Sequence, residues 1–274
     1  MIENKKIICF GGAGSIGSEL AHQLMVDNEV YILDINETAM FDLVEEYRQK
    51  GFKVSGRVGD VCDKETVDKV FREFKPEIAF NCSARKHVSP MEETPMEAVM
   101  VNIIGTNNII EACKKYRAKL IHTSTDKVVQ ANSIMGATKK VAEIMVKNAG
   151  FVSVRFGNVL GSAGSLLPII QRQLDKGEPL TVTDERCTRY MMTIPDACEL
   201  LIKAADIGEP GKILVMDMGE PVNVLQLAKD ILKKSGKEER ITMIGLRPGE
   251  TLTEVLMTQE EESTAKRVDQ FWII

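Results

Sequence analysis

Gly11-Gly12-Ala13-Gly14-Ser15-Ile16-Gly17 is the stretch on which the fold turns. It follows an apolar run at 6–10 and opens a segment, 16–26, whose apolar residues recur with helical spacing. A glycine loop set between a strand and a helix has a physical use that an isolated glycine motif lacks. Gly11 permits a tight turn, Gly14 lets backbone approach a pyrophosphate, and Gly17 lets the helix pack on the strand. The first helical turn, which includes Ser15 and Ile16, offers free amides and partial positive charge to phosphate. A second apolar run, 30–34, ends in Asp34 about 20 residues on, the spacing of an acid that binds ribose hydroxyls. Asp34 would repel a 2′-phosphate, and Ile35-Asn36-Glu37 offers no arginine to bind one. NAD is therefore expected rather than NADP.

Strand-like and helical segments alternate through the first 160 residues. Runs at 53–55, 78–81, 119–123 and 152–156 are short and mostly apolar, as buried parallel strands are. Helical patterns occupy 37–50, 64–74, 96–116 and 138–147. This order predicts an α/β Rossmann domain over 1–160, a doubly wound parallel sheet with right-handed crossovers. Afterwards the rhythm loosens. Helical candidates at 166–174, 194–205 and 224–234 are separated by short strands at 180–182 and 212–216. Residues 161–274 are expected to form a small C-terminal substrate-binding cap, interleaved with the Rossmann core. The final stretch, 258–274, carries no readable pattern, and Trp272 could pack on the core or on a neighbouring subunit.

Composition narrows the function. The 274 residues carry 35 Lys and Arg against 40 Asp and Glu, a formal charge of −5. That balance disfavours a general nucleic-acid binder, which needs cations against dense phosphate charge. No apolar run approaches the roughly 18 residues of a membrane span, and the N-terminus lacks the pattern of a signal peptide. Six scattered cysteines include no Cys-x-x-Cys pair, so neither a metal site nor a disulfide framework is expected. The expectation is a reduced, cytoplasmic protein without membrane insertion.

The spacing of the glycine loop, G-x-x-G-x-x-G, resembles the short-chain dehydrogenase/reductase superfamily. By that resemblance Asp60 and Val61 would contact the adenine, an exposed Asx turn being the alternative for Asp60. The superfamily places Tyr-x-x-x-Lys on a helix, where a spacing of four puts both side chains on one face. A Ser or Thr ends the preceding strand. Here Met135-Gly136-Ala137-Thr138-Lys139 keeps the lysine and replaces the tyrosine by Met135. A thioether cannot exchange a proton, so ordinary alcohol dehydrogenase or epimerase chemistry is disfavoured. Upstream, Thr125 stands at the hydroxyl position and is followed by Asp126 and Lys127, an added proton donor and acceptor. Alone, these would read as a helix cap with an exposed ion pair. In register with Met135 and Lys139 they read as a catalytic set.

Ser124-Thr125-Asp126-Lys127, with the stretch 132–139, resembles the UDP-N-acetylglucosamine 4,6-dehydratases of polysaccharide and capsule biosynthesis. Ala84-Arg85-Lys86-His87-Val88, Arg155-Phe156-Gly157-Asn158 and Arg247-Pro248-Gly249-Glu250 extend the resemblance, and Met135 is similar to the configuration-retaining branch. The resemblance implies loss of water from UDP-N-acetylglucosamine. Hydride leaves carbon 4, a proton leaves carbon 5, the hydroxyl leaves carbon 6, and the hydride returns to carbon 6. It implies Asp126 as acid for the leaving hydroxyl and Lys127 as base at carbon 5, its pKa lowered by burial beside Lys139. Lys139 would hold the nicotinamide ribose. The acceptor of the carbon 4 hydroxyl proton stays open among Thr125, a water and Asp126.

For the sugar nucleotide, Arg189 and Arg247 are candidates for the diphosphate and Asn158 for amide hydrogen bonds. Thr181 and Thr183 would read uracil, Glu250 the uridine ribose, and Lys86 the substrate near the cleft, whereas His87 reads as structural. Thr251 stands where the family often has a lysine. The alternatives are a UDP-sugar 4-epimerase or 4-reductase, and a non-catalytic NAD-binding regulator on the same fold. A homo-oligomer is expected. Many retaining relatives carry an N-terminal membrane region, so the chain reads as a small soluble form.

Overall fold

Strand β1 (Lys6–Phe10) buries every side chain from Ile7 to Phe10, because helices cover both faces of the sheet it belongs to. The structure, a computed structural model, describes residues 2–238 and 240–274. From β1 the chain runs through α1 (Ser15–Leu24), β2 (Glu29–Asp34), α2 (Glu37–Gln49), β3 (Val54–Val58), α3 (Lys64–Phe74) and β4 (Ile78–Asn81). Next come α4 (Val88–Glu93), α5 (Pro95–Ala98), a π-helical stretch (Val99–Gly105) and α6 (Thr106–Tyr116). The candidate-site segment spans β5 (Lys119–Thr125), α7 (Lys127–Gln130), α8 (Ile134–Asn148) and β6 (Val152–Phe156). Beyond it lie β7 (Asn158–Val159), α9 (Leu166–Lys176), β8 (Leu180–Val182), β9 (Thr188–Arg189), β10 (Met191–Met192) and α10 (Ile194–Ile207). The chain ends with β11 (Ile213–Met216), β12 (Val222–Asn223), α11 (Val224–Ser235), β13 (Ile241–Met243), α12 (Gln259–Thr264), β14 (Lys266–Val268) and β15 (Phe271–Ile273).

One sheet has the order β14-β15-β11-β6-β5-β4-β1-β2-β3. β1 pairs in parallel with both β2 and β4, so the winding reverses there and a crevice opens beyond the carboxyl ends of these strands. Alternate residues of β1 feed opposite cores. Ile7 and Cys9 pack with Leu20, Leu24 and Leu201 on one face, and Ile8 and Phe10 with Phe71, Ile109 and Val146 on the other. A third, smaller core joins α9, β8 and α11 through Ile170, Leu174, Leu180 and Leu232.

Two expectations are corrected. The single helix over 96–116 is instead interrupted by the π-helical stretch. Its widened turn brings Asn102 inward, where Oδ1 accepts from the Arg85 amide at 2.8 Å and Nδ2 donates to Thr138 at 3.0 Å. Helix α8 begins at Ile134 rather than at Thr138, because the Ser133 side chain caps it by accepting from the Gly136 amide at 3.0 Å. Met135 and Lys139 thus share one helix. The unread tail forms α12, β14 and β15, and β15 adds antiparallel to β11 with Trp272 opposite Val215. Phe271 is fully buried in the core of its own chain. Strands β11, β14 and β15 belong to the large sheet although they lie beyond residue 160.

Candidate active site

The glycine loop forms the floor of a groove at the switch point. Gly11 has φ +66°, and a Cβ there would sit 2.7 Å from the Ser83 amide nitrogen. A Cβ on Gly17 would collide with the Gly11 carbonyl oxygen. Gly14 caps α1 without any side-chain bond, which leaves the first amides of that helix, from Ser15 and Ile16 onward, directed at the groove. Ser15 Oγ accepts from the Ala163 amide at 2.9 Å and ties the loop after β7 to the helix. Asp34 lines the far end of the groove with Asp60 and Val61. One Asp34 oxygen accepts from the Ala13 amide and the other from the Asn36 amide, both at 2.9 Å, so the carboxylate is held in one orientation. Asp60 does form an Asx turn, accepting from the Cys62 amide at 2.8 Å, and it lines the cavity as well. The residues present thus fit a dinucleotide: amides for phosphate, an oriented acid for ribose, and backbone approach that only glycine allows.

The groove leads to the end of β5. Thr125, Lys127, Met135 and Lys139 line one cavity, together with Lys86 and Asn158. Met135 is 2% exposed, so its sulfur side chain fills the tyrosine position as part of the wall. Lys139 Nζ donates to the Thr123 carbonyl and lies 3.4 Å from His122 Nε2. Burial lowers its pKa to about 8. Burial, with the nearby Lys139 charge, also holds His122 well below its ordinary pKa. Lys86 has no partner in hydrogen bonds or ion pairs among the described residues, and burial lowers its pKa.

Asp126 and Lys127 meet a third charged residue. Lys127 Nζ is 3.0 Å from Asp126 Oδ1 and 2.7 Å from Glu254 Oε1. Thr125 donates to the same Asp126 oxygen at 2.8 Å, whereas Asp126 Oδ2 is buried with no hydrogen-bond partner. Burial would raise Asp126, but the adjacent Lys127 charge, joined by hydrogen bonding with Glu254, Thr125 and Lys127, keeps the carboxyl below its usual range. The expectation for Lys127 is reversed. Burial would lower its pKa, yet Asp126 and Glu254 together raise it, so Lys127 stands as an ammonium ion with no free lone pair.

The sugar-nucleotide candidates converge from the C-terminal half. A second cavity, of about 320 Å³, brings Asp126 and Lys127 beside Asn158, Arg189, Arg247 and Glu250. A third adds Thr181 and Thr183. Thr183 donates to Glu250 at 3.3 Å, while Thr181 is engaged by Gln173 at 2.9 Å. Arg189 has its guanidinium committed within the protein, donating to the carbonyls of Thr188, Thr251 and Leu252 and pairing with Glu250 and Glu254. Arg247 is different: its guanidinium has no partner among the described residues, so its donors, like those of Lys86, are free. His87 sits beside Gly164 and lines the cavities without a hydrogen bond of its own.

Sequence reasoning missed two features. Glu254 carried no signal, since 251–257 has no periodicity and no motif. The second is a buried set behind the site. Arg155, fully buried, pairs with Glu143 at 2.7 Å and Glu261 at 2.9 Å, and donates to the Leu256 carbonyl at 2.8 Å. Among the described residues no cluster of His, Cys, Asp or Glu could hold a metal ion, and no helix is long and apolar enough to cross a membrane.

The chain is 38% identical over 95% of its length to the capsular polysaccharide biosynthesis protein CapD of Staphylococcus aureus, of which the match covers 46%. It spans about half the length of that curated relative and of EpsC of Bacillus subtilis, again 46%. Among solved structures, Pen from Bacillus thuringiensis superposes with a TM-score of 0.94 at 32% identity, over 99% of this chain and 89% of that one. The UDP-glucose 4-epimerase of Thermus thermophilus in complex with NAD gives 0.80 at 26% identity, over 92% and 90%. The family described as "Polysaccharide biosynthesis protein" matches residues 7–274, and the chain belongs to that family.

Proposed function

We propose that this protein is an NAD-dependent sugar-nucleotide 4,6-dehydratase acting on UDP-N-acetylglucosamine with retained configuration at carbon 5. One observation carries the reading: a buried Asp126–Lys127 pair beside Lys139, with a thioether at the tyrosine position. An epimerase needs one group to take and return a hydroxyl proton. This site holds surplus acid and base, which dehydration requires. The NAD-bound epimerase fold and the oriented Asp34 support NAD as cofactor.

When bound, NAD supplies reversible hydride storage between carbon 4 and carbon 6 of the sugar. The chain's own residues do the remaining work. Asp126 accepts the carbon 4 hydroxyl proton, its Oδ1 joined to the cavity wall by the Thr125 hydroxyl at 2.8 Å. Lys127 removes the proton on carbon 5, which the new ketone has acidified. Asp126 then gives its proton to the departing carbon 6 hydroxyl, so the water lost consists of that hydroxyl and the carbon 4 hydroxyl proton. Lys127 returns its proton to carbon 5. Lys139 holds the nicotinamide ribose, Arg247 the diphosphate, and Thr183 with Glu250 the uridine. Arg189 braces the 250–254 loop and lends its charge, Asn158 orients Lys127, and Lys86 faces the sugar.

Incubation with NAD and UDP-N-acetylglucosamine is expected to give a UDP-linked 4-keto-6-deoxy sugar by NMR, without net reduced nicotinamide. Release of the carbon 4 epimer, or no turnover by protein that binds NAD, would overturn the reading. A second expectation concerns the cofactor. Asp34→Ala removes a charged acceptor, and NAD affinity should fall ~10–100-fold, measured by calorimetry. An unchanged affinity would remove Asp34 from the ribose site.

A further inference from the structure

Lys127 poses a problem for the proposed reaction. A base must offer a lone pair, and this amine sits between two carboxylates that favour its protonated form. Freeing it by loss of a proton to water would be costly near neutral pH. The surroundings supply another destination. Glu254 Oε1 lies 2.7 Å from Lys127 Nζ, a distance at which a proton passes directly between them. Glu254 is held for this contact. Its other oxygen accepts from Asn158 Nδ2 at 3.0 Å, and Arg189 Nε lies 3.4 Å from Oε1. The Glu254 side chain is only 5% exposed, so water does not compete freely for the proton.

The geometry points to Glu254 as the proton acceptor that lets Lys127 act as the carbon 5 base. The inference rests on the dehydratase reading. In the step, the carbon 5–hydrogen bond breaks and its proton goes to Lys127 Nζ, while one Nζ proton moves to Glu254 Oε1. The electron pair of the carbon 5–hydrogen bond enters the forming carbon 5–carbon 6 double bond as the carbon 6 hydroxyl leaves with the proton from Asp126. Reversal of the two transfers returns a proton to carbon 5, and nothing is consumed. Lys127 lines both the cavity shared with Met135 and Lys139 and the one beside Arg247, whereas Glu254 lines only the latter and reaches carbon 5 through Lys127, which makes it a positioning residue.

The local charges suit the task. Burial raises Glu254 to about 7, with Lys127 opposing and Asp126 adding to the rise. Facing it are Asp126 and Lys127 from the β5–α7 junction and Arg189 from β9, with Glu250 beyond Arg189 and Arg247 in the same cavity. An acceptor must start ionised. Its contribution to rate is therefore present above about 7 and lost as pH falls through that value.

Glu254→Gln keeps shape and the contact with Asn158 but cannot take a proton. Expected are a kcat loss of ~100-fold, a KM for UDP-N-acetylglucosamine within about threefold, and disappearance of the acid limb near pH 7. Reduced nicotinamide should accumulate, because carbon 4 oxidation precedes the blocked step. Glu254→Asp, which still titrates, should restore part of kcat and the limb. Wild-type kcat in Glu254→Gln, an unmoved limb, or equal loss of cofactor and substrate binding would each overturn the assignment. Carbon-13 carboxyl NMR tests the pairing apart from turnover: one glutamate resonance should titrate near 7 in the wild type and be missing in Glu254→Gln. Its absence from the wild type overturns the proton acceptor. A wild type that titrates there but makes no 4-keto-6-deoxy product overturns the dehydratase reading instead.

Discussion

Asp126→Asn is expected to lower kcat by ~10³–10⁴-fold, with NAD affinity unchanged within about threefold and no reduced nicotinamide formed. Asp126 Oδ1 accepts from Thr125 and Lys127, while Oδ2 is buried without a partner. Oδ2 has no accessible surface, so Asp126 works through Oδ1 and the Thr125 hydroxyl that joins it to the cavity. In the proposed reaction it receives the first proton and surrenders it to the leaving hydroxyl, so its loss stops both halves. An amide in its place also turns a donor toward Lys127 or leaves that cation with Glu254 alone. Cofactor binding is insulated, because Asp126 does not line the groove of Gly11, Gly14 and Asp34. The contrast with Glu254→Gln is diagnostic, since only that variant should accumulate reduced nicotinamide. Rapid-quench product analysis with stopped-flow absorbance measures both. A D126N enzyme that oxidises carbon 4 at the wild-type rate would move the first proton acceptor to Thr125 or water.

Part of this site was legible in the sequence, because its chemistry sits where local rules apply. The glycine loop and Asp34 are fixed by steric limits at a strand–helix junction. Met135 and Lys139 are related by one helical turn, and Asp126 and Lys127 follow a strand end directly. Glu254 obeys no such rule. It reaches the site from a non-helical segment more than 100 positions beyond Lys127, and only tertiary packing reveals the contact. The same ignorance misled the expectation for Lys127. Burial by itself lowers a lysine pKa, and a partner invisible in the sequence reversed the sign. Arg189 was read as a free cation for phosphate because charge alone was visible, whereas its donors are spent on the carbonyls of the 251–252 stretch and of Thr188. The tail was unreadable for another reason. Strands β14 and β15 have three residues each, too few to display a period, and they become strands through pairing with β11.

Arg155→Met is expected to cost ~3–5 kcal/mol of stability, or roughly 6–20 °C in Tm, read by calorimetry and denaturant unfolding. Arg155 on β6 is fully buried and binds three separate elements: Glu143 on α8, Glu261 on α12, and the Leu256 carbonyl between them. Removing the cation strands two carboxylates and a carbonyl, which is far worse than never having buried them. Glu261 has a further duty, accepting from the Thr258 amide at 2.8 Å in the box that starts α12. Burial would raise the Glu261 pKa, but the Arg155 hydrogen bonds and charge, with the Thr258 amide and the Lys140 charge, together depress it. A depressed carboxyl stabilises the fold above its unfolded pKa and loses that contribution as pH falls through the folded value. Wild-type stability should therefore decline in acid, and Arg155→Met should flatten that decline. Arg155→Lys keeps one charge but cannot fork to two carboxylates and a carbonyl, so it should fall between the two. The consequence reaches the chemistry, because Leu256 is two residues from Glu254 and fixes the loop that presents it. At a temperature where Arg155→Lys is fully folded, kcat should fall more than NAD affinity. An equal fall in both would mean that the clamp serves the fold alone.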